Sequence, residues 1–133
     1  MKRSNCSRIQ ALRSASLLAA LTISISLRAV ADAVPAGDSV RGKALYQSCQ
    51  ACHSVDENDL GPRHRGVLGR LAGSVEDYSY SKALKQSGVI WSDSTLDQWL
   101  TNPTTMVPGT KMYFKLDDPQ ARADVIAYLK ELK

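Results

Sequence analysis

At 133 residues the chain has room for one domain and not for two, so any function must be carried by a single core. Its formal charge of +4 would suit a nucleic-acid or anionic-membrane partner, but five of the 17 Lys and Arg precede Asp32, and all 13 Asp and Glu lie at or beyond it. From Asp32 onward 12 basic residues face 13 acidic ones, a net of −1, which removes the electrostatic case for nucleic-acid binding.

The first residues read as an address. Lys2, Arg3, Arg8 and Arg13 stand in an acid-free stretch, and Ser14 to Leu27 forms a compact apolar run. That run is shorter than the about 20 residues needed to span a bilayer. Small residues follow at Ala29-Val30-Ala31 and Ala31-Asp32-Ala33. Residues 1–31 are therefore expected to be a secretory signal peptide cleaved near 31 or 33, with a single domain over 34–133. The alternative is a mitochondrial transit peptide, since the segment is rich in Ser and Arg, although the apolar run is unbroken by charge. Cys6 lies in the charged leader, ahead of the apolar run, and is expected to be neither lipid anchor nor disulfide partner.

Asp38 or Ser39 can cap a first helix, along which Val40, Ala44 and Leu45 fall on one side, with Gly42 and Tyr46 adjoining. Glycine inside a helix costs about 1 kcal/mol relative to Ala, so Gly42 suggests the close approach of another backbone. This helix delivers Cys49-Gln50-Ala51-Cys52-His53, a Cys-x-x-Cys-His run of the kind that attaches c-type haem. Positions i and i+3 on one turn share a face, so both thiols can reach the two vinyl groups of one porphyrin, and His53 then meets the iron. A zinc site would need more ligands than the chain offers, because the remaining cysteine is Cys6 and the remaining histidine is His64.

A polar loop from Ser54 to Leu60 carries Asp56, Glu57 and Asp59 and reads as solvated surface. Gly61 to Arg70 is too rich in glycine for a regular element, and a segment of this kind can wrap a flat cofactor. Arg63, Arg65 and Arg70 would either pair with carboxylates of that cofactor or stay in water. His64 is the rival axial ligand, with charged neighbours and only a short chain separating it from His53.

A short helix over Ser81 to Ser87 is capped by Ser81 and stopped by Gly88, and Val89-Ile90-Trp91 is a brief apolar run. Ser92 or Ser94 caps the next helix, whose Leu96, Trp99 and Leu100 share one face, and Asn102-Pro103 ends it. The last helix is marked by Asp118 at the N-cap and Pro119 at N1, with Ala121, Val125, Tyr128 and Leu129 as its inward stripe. With no sustained strand alternation, the expected fold class is all-α, with short helices and long loops closed over a cofactor. Between the last two helices Met106 and Met112 flank a Pro-Gly turn. Either could supply a thioether to the opposite haem face, which favours reduced iron and raises the potential.

Taken together, Cys49 to His53, Gly61-Pro62, Gly69-Arg70, Tyr80, Gly88 to Trp91, Thr95-Leu96, Asn102-Pro103, Val107 to Met112 and Arg122 to Leu129 resemble class I cytochrome c, similar to mitochondrial cytochrome c and bacterial cytochrome c2. The resemblance implies the class I cytochrome c fold around one haem c. It implies Met112 rather than Met106 as the second axial ligand, and the Pro62 carbonyl accepting from the His53 ring N–H. It also implies Arg70, Tyr80 and Trp91 around a propionate, and Gly42 and Tyr46 crossing Val125 and Tyr128. The function implied is that of a soluble periplasmic one-electron carrier, not an enzyme, meeting donor and acceptor redox proteins as a monomer; the mitochondrial intermembrane space is the lesser alternative. The rival functions are an electron-entry subunit of a periplasmic dehydrogenase, or a haem peroxidase or gas-binding protein. Against the family pattern, the loop from His53 to Pro62 is short, Thr104 and Thr105 stand where the mitochondrial protein has lysines, Trp99 stands where a tyrosine is common, and Leu84 where a polar residue is frequent. The last two are expected to strip polar groups from the distal side.

Overall fold

The computed structural model describes residues 35–133, and the leader lies outside the described residues. Asp38 caps the first helix, α1 (Ser39–Leu45), its carboxylate accepting from the amides of Val40 and Arg41. At Tyr46 the chain tightens into a 3-10 turn, Tyr46–Ala51, rather than continuing as α-helix. In that geometry residues i and i+3 eclipse, and Cys49 and Cys52 fall at this spacing. The Cys52 and His53 amides both donate to the Cys49 carbonyl, at 3.1 and 2.9 Å, which closes the turn under His53.

Ser81 caps α2 (Lys82–Gln86) through Leu84 N–H, and Gly88 follows at φ +67°, a left-handed conformation that a side chain would strain. Ser92 and Thr95 form a reciprocal capping box on α3 (Asp93–Thr101). Asn102 does end α3, but its side chain also caps a further short helix, α4 (Pro103–Met106). Pro103 occupies N1 there, where its missing N–H costs nothing, so the proline that stops one helix starts the next. The last helix, α5 (Pro119–Glu131), begins at the Asp118 cap. Its buried face is wider than the apolar stripe alone, because Arg122 and Asp124 are buried beside Val125, Ile126 and Leu129. Among the described residues the β-structure is a single antiparallel bridge, Leu71 to Ile90.

The helices meet around one apolar core. Tyr46, Val67, Trp91, Leu96, Trp99, Leu100, Val125, Ile126 and Leu129 belong to it. Arg122 ties α5 to α3 through Asp97 (2.7 Å) and donates to the Leu116 carbonyl at 2.9 Å, which explains how a buried guanidinium is tolerated. Gly42 sits where α1 crosses α5: a Cβ there would lie 1.9 Å from the Asp124 carbonyl oxygen. The clash is with backbone, so the two helices would have to separate. Gly42→Ala is therefore expected to cost at least about 3 kcal/mol, the upper end of overpacking penalties, and to lower the thermal midpoint by circular dichroism; an unchanged midpoint would refute the close crossing.

Asp124 anchors the same crossing. Its carboxylate accepts from the Asp38 amide (2.8 Å), Arg41 Nε (2.8 Å) and Nη2 (2.9 Å), and Gln120 Nε2 (2.9 Å). The hydrogen-bonded Arg41 guanidinium holds this carboxyl well below the ordinary carboxylate range. A depressed native value means that the stabilisation is complete above the unfolded value of about 3.9 and fades as pH drops below it. The thermal midpoint of the native protein should fall on acidification below about pH 4. Asp124→Asn should lower the midpoint at neutral pH and flatten the acid limb, whereas parallel pH curves would show that the network contributes nothing.

Candidate haem site

The fold opens a cavity of about 450 Å³ between the 3-10 turn, the glycine-rich loop, α3 and the segment that follows α4, within the size range of cofactor pockets. Cys49, Cys52, His53, Pro62, Arg70, Tyr80, Trp91 and Met112 all line it. Both thiols are free, Cys49 half-buried and Cys52 exposed, and burial pushes the Cys49 thiol up. Among the described residues no group of three or more His, Cys, Asp or Glu side chains could hold a metal ion, so these two thiols have no zinc-type partners.

His53 Nδ1 lies 2.8 Å from the Pro62 carbonyl oxygen. A carbonyl only accepts, so Nδ1 carries the proton and Nε2 keeps its lone pair free. Burial also lowers the His53 pKa, which keeps the ring neutral near pH 7. Gly61 is pressed against this ring: a Cβ would lie 2.2 Å from Cε1, so the close approach itself requires glycine. Across the cavity Trp99 Nε1–H donates to Met112 Sδ at 3.1 Å. The expectation that Trp99 strips the distal side of polarity is thus corrected, because the indole supplies a donor aimed at the thioether. At Leu84 the expectation holds, since the side chain is buried and apolar.

Met106 opens instead onto a separate shallow groove with Asp97, Gln98 and Thr105. Spacing alone left the two methionines equivalent; the fold brings only Met112 to the cavity that holds His53. His64 lies on the same side as His53, their rings stacked at 4.1 Å, and its Nδ1 is hydrogen-bonded to the Tyr46 hydroxyl at 2.9 Å. Burial, with the charges of His53 and Arg70, pulls the His64 pKa down to about 3. The charged neighbours of His64 in sequence gave no sign of this enclosed position.

The three arginines separate. Arg65 pairs with Asp56 at 2.5 Å and donates to the Lys133 carbonyl, and Arg63 is half-buried and does not line the cavity. Arg70 donates to the carbonyls of Arg65 (3.0 Å) and Arg63 (2.8 Å), and burial lowers its pKa. Among the described residues it forms no pair with Asp or Glu, so a half-buried cation that stays charged lines the cavity without a counter-ion. A cofactor carboxylate would complete it. Tyr78, missed as a site residue, also lines the cavity; its hydroxyl donates to the Leu60 carbonyl and its ring packs edge-on against Tyr80.

An all-α shell of short helices, with a Cys-x-x-Cys-His turn opening into an apolar cavity that also receives a methionine, defines the class of c-type haem proteins. Residues 39–133 match the family model for cytochrome c, and the chain belongs to that family. It is 47% identical over 103 residues to cytochrome c2 of Rhodomicrobium vannielii, covering 74% of this chain and 82% of that protein. It is 42% identical to cytochrome c of Nigella damascena, covering 75% of this chain and 95% of that one. Among solved structures, cytochrome cH from Methylobacterium extorquens superposes with a TM-score of 0.70 at 43% identity, covering 71% of this chain and 99% of that chain. The protein is thus a monohaem electron carrier of the cytochrome c family rather than an enzyme, and the family's cofactor is one covalently attached haem c.

Proposed function

We propose that the chain works as a diffusible periplasmic carrier, freed of residues up to Ala31 or Ala33, with haem c held by thioethers to Cys49 and Cys52 and ligated by His53 and Met112. The observation that carries this reading is the convergence of His53 and Met112 on one apolar cavity from segments far apart in the chain, a cavity that Met106 does not line. When bound, the haem supplies a one-electron couple. The chain supplies the rest. The Pro62 carbonyl fixes the His53 tautomer and strengthens the ring as a donor. Trp99 takes one lone pair of the Met112 sulfur and so orients the other. Arg70, with Tyr80 and Trp91, receives a propionate, and the buried lining keeps water from the iron. No helix among the described residues is long and apolar enough to cross a membrane.

Encounter with redox proteins runs through the cavity mouth, whose rim is apolar. Leu60, Tyr113 and Phe114 line the cavity and are also exposed, at 74%, 76% and 42%. The cationic groups flanking the ligand segments are partly neutralised, Lys115 by Asp117 at 3.2 Å and Arg65 by Asp56. With a net charge near −1 from Asp32 onward, before two propionates are added, long-range attraction to an acidic partner is weak. Docking is therefore small and transient, of the size usual for electron-transfer encounters.

Stopped-flow electron transfer to matched acidic and neutral acceptor proteins tests this. Between about 0.01 M and 0.15 M ionic strength, where the screening length shrinks from about 30 to about 8 Å, the rate with the acidic acceptor should fall less than about tenfold. A steeper fall would show that the local cations dominate. Gel filtration of the protein from its native host should return a monomer, and co-elution with a dehydrogenase would favour the fixed-subunit reading instead.

A further inference from the structure

Behind the axial imidazole the structure places a second, hydrogen-bonded imidazole. We propose that His64, braced by the Tyr46 hydroxyl, is a positioning residue that sets the plane of the His53 ring by stacking on it. The inference rests on the reading of His53 as the axial ligand.

The bond from His53 Nδ1 to the Pro62 carbonyl fixes where one ring atom lies. A single hydrogen bond leaves the ring able to rock, because the terminal torsion of histidine is broad and has no sharp staggered wells. Gly61 packs over the ring, where a Cβ would lie 2.2, 2.4 and 2.6 Å from Cε1, Nδ1 and Nε2 but the glycine itself presents no side chain, and the ring stacks on His64, with centroids 4.1 Å apart and planes 20° apart. That face contact restrains ring tilt, which neither the hydrogen bond nor the covalent tether does.

The plane of His64 is itself held. Its backbone amide donates to the Ser54 carbonyl (3.1 Å), and Nδ1 is hydrogen-bonded to a Tyr46 hydroxyl whose residue is only 2% exposed. Tyr46 in turn packs on Tyr128 of α5, with centroids 5.1 Å apart, where α1 and α5 cross. A rigid part of the fold thus reaches the iron ligand through Tyr46, then His64, then His53. An aliphatic side chain at residue 64 would fill the space but would carry neither the hydrogen bond nor a defined plane. Outer groups that orient a ligand tune the metal it binds. For a flat imidazole the property tuned is directional: its π orbital meets the iron d orbitals perpendicular to the ring, so the ring plane selects how unpaired spin is shared among the four pyrroles of the oxidised haem.

The test uses holoprotein carrying His64→Leu, His64→Phe or Tyr46→Phe. It reads the hyperfine-shifted haem-methyl proton resonances and the EPR g-anisotropy of the oxidised state. His64→Leu should redistribute the four methyl shifts while the sulfur-to-iron band in the near infrared persists. His64→Phe, which keeps a flat ring but loses the bond to Tyr46, should shift the pattern less than the leucine variant and about as far as Tyr46→Phe. Tyr46→Phe, which removes one hydroxyl and nothing else, should shift the pattern in the direction of the leucine variant by a smaller amount. A wild-type pattern in His64→Leu, or in Tyr46→Phe should the leucine variant fail to mature, overturns the proposal, as does a phenylalanine variant no closer to wild type than leucine. The wild-type spectrum separates the two levels of failure. If the wild type lacks a low-spin, histidine-bound haem, the axial assignment fails; if it has one and the variants leave the pattern unmoved, only the role of His64 fails.

Discussion

Replacing Cys49 and Cys52 together by alanine is expected to turn a haem that resists acidified organic solvent into one that is extracted completely. The two thiols stand three residues apart at the end of the 3-10 turn, Cys52 being its C-cap, both on the cavity wall and free of other partners. Loss of the tether also threatens the fold. Without haem the apolar lining of a cavity of about 450 Å³ is left to water, and the core loses the contacts that the cofactor would supply. Extraction of the double variant should therefore remove most of its helical circular dichroism, whereas the wild type keeps both haem and helix. Retention of haem by the double variant after extraction would refute covalent attachment.

The second large effect is expected at Met112. Met112→Ala should abolish the weak near-infrared sulfur-to-iron band of the oxidised protein and lower the reduction potential by on the order of tenths of a volt, since axial ligands move haem potentials over about 0.8 V and a thioether favours the reduced state. Met106→Ala should leave both unchanged, because its side chain belongs to a different groove. The opposite pattern would exchange the two assignments.

What was legible in the sequence is what is local. The caps at Ser81 and Asp118 could be read outright, and those at Asp38 and Ser92 to within one alternative each (Ser39 and Ser94), because a cap acts on amides two or three residues away. The Cys-x-x-Cys-His run could be read because its chemistry lies within one turn. Gly42 gave a correct sign of a close backbone, although nothing in the sequence said that the backbone belongs to Asp124. Short-range reading failed where one residue serves two elements: Pro103 looked like the end of α3 and is the first residue of α4. It failed again where burial is decided by distant chain. Arg65 and Arg70 look alike in sequence, yet one pairs with Asp56 on the surface and the other is half-buried in the cavity wall. The Trp99 donor to Met112 and the Tyr46–His64 bond join residues 13 and 18 positions apart, through contacts that neither composition nor periodicity encodes.

In the proposed holoprotein His53 and Met112 would hold the iron from both sides, leaving no open position while it cycles by one electron. An optical redox titration of the purified holoprotein, with and without carbon monoxide, tests that directly. The predicted result is a single one-electron transition and a reduced spectrum that carbon monoxide leaves unchanged. A Soret band that shifts on adding carbon monoxide to the reduced protein would show a vacant or readily displaced sixth position, and would contradict the assignment of His53 and Met112 as permanent ligands.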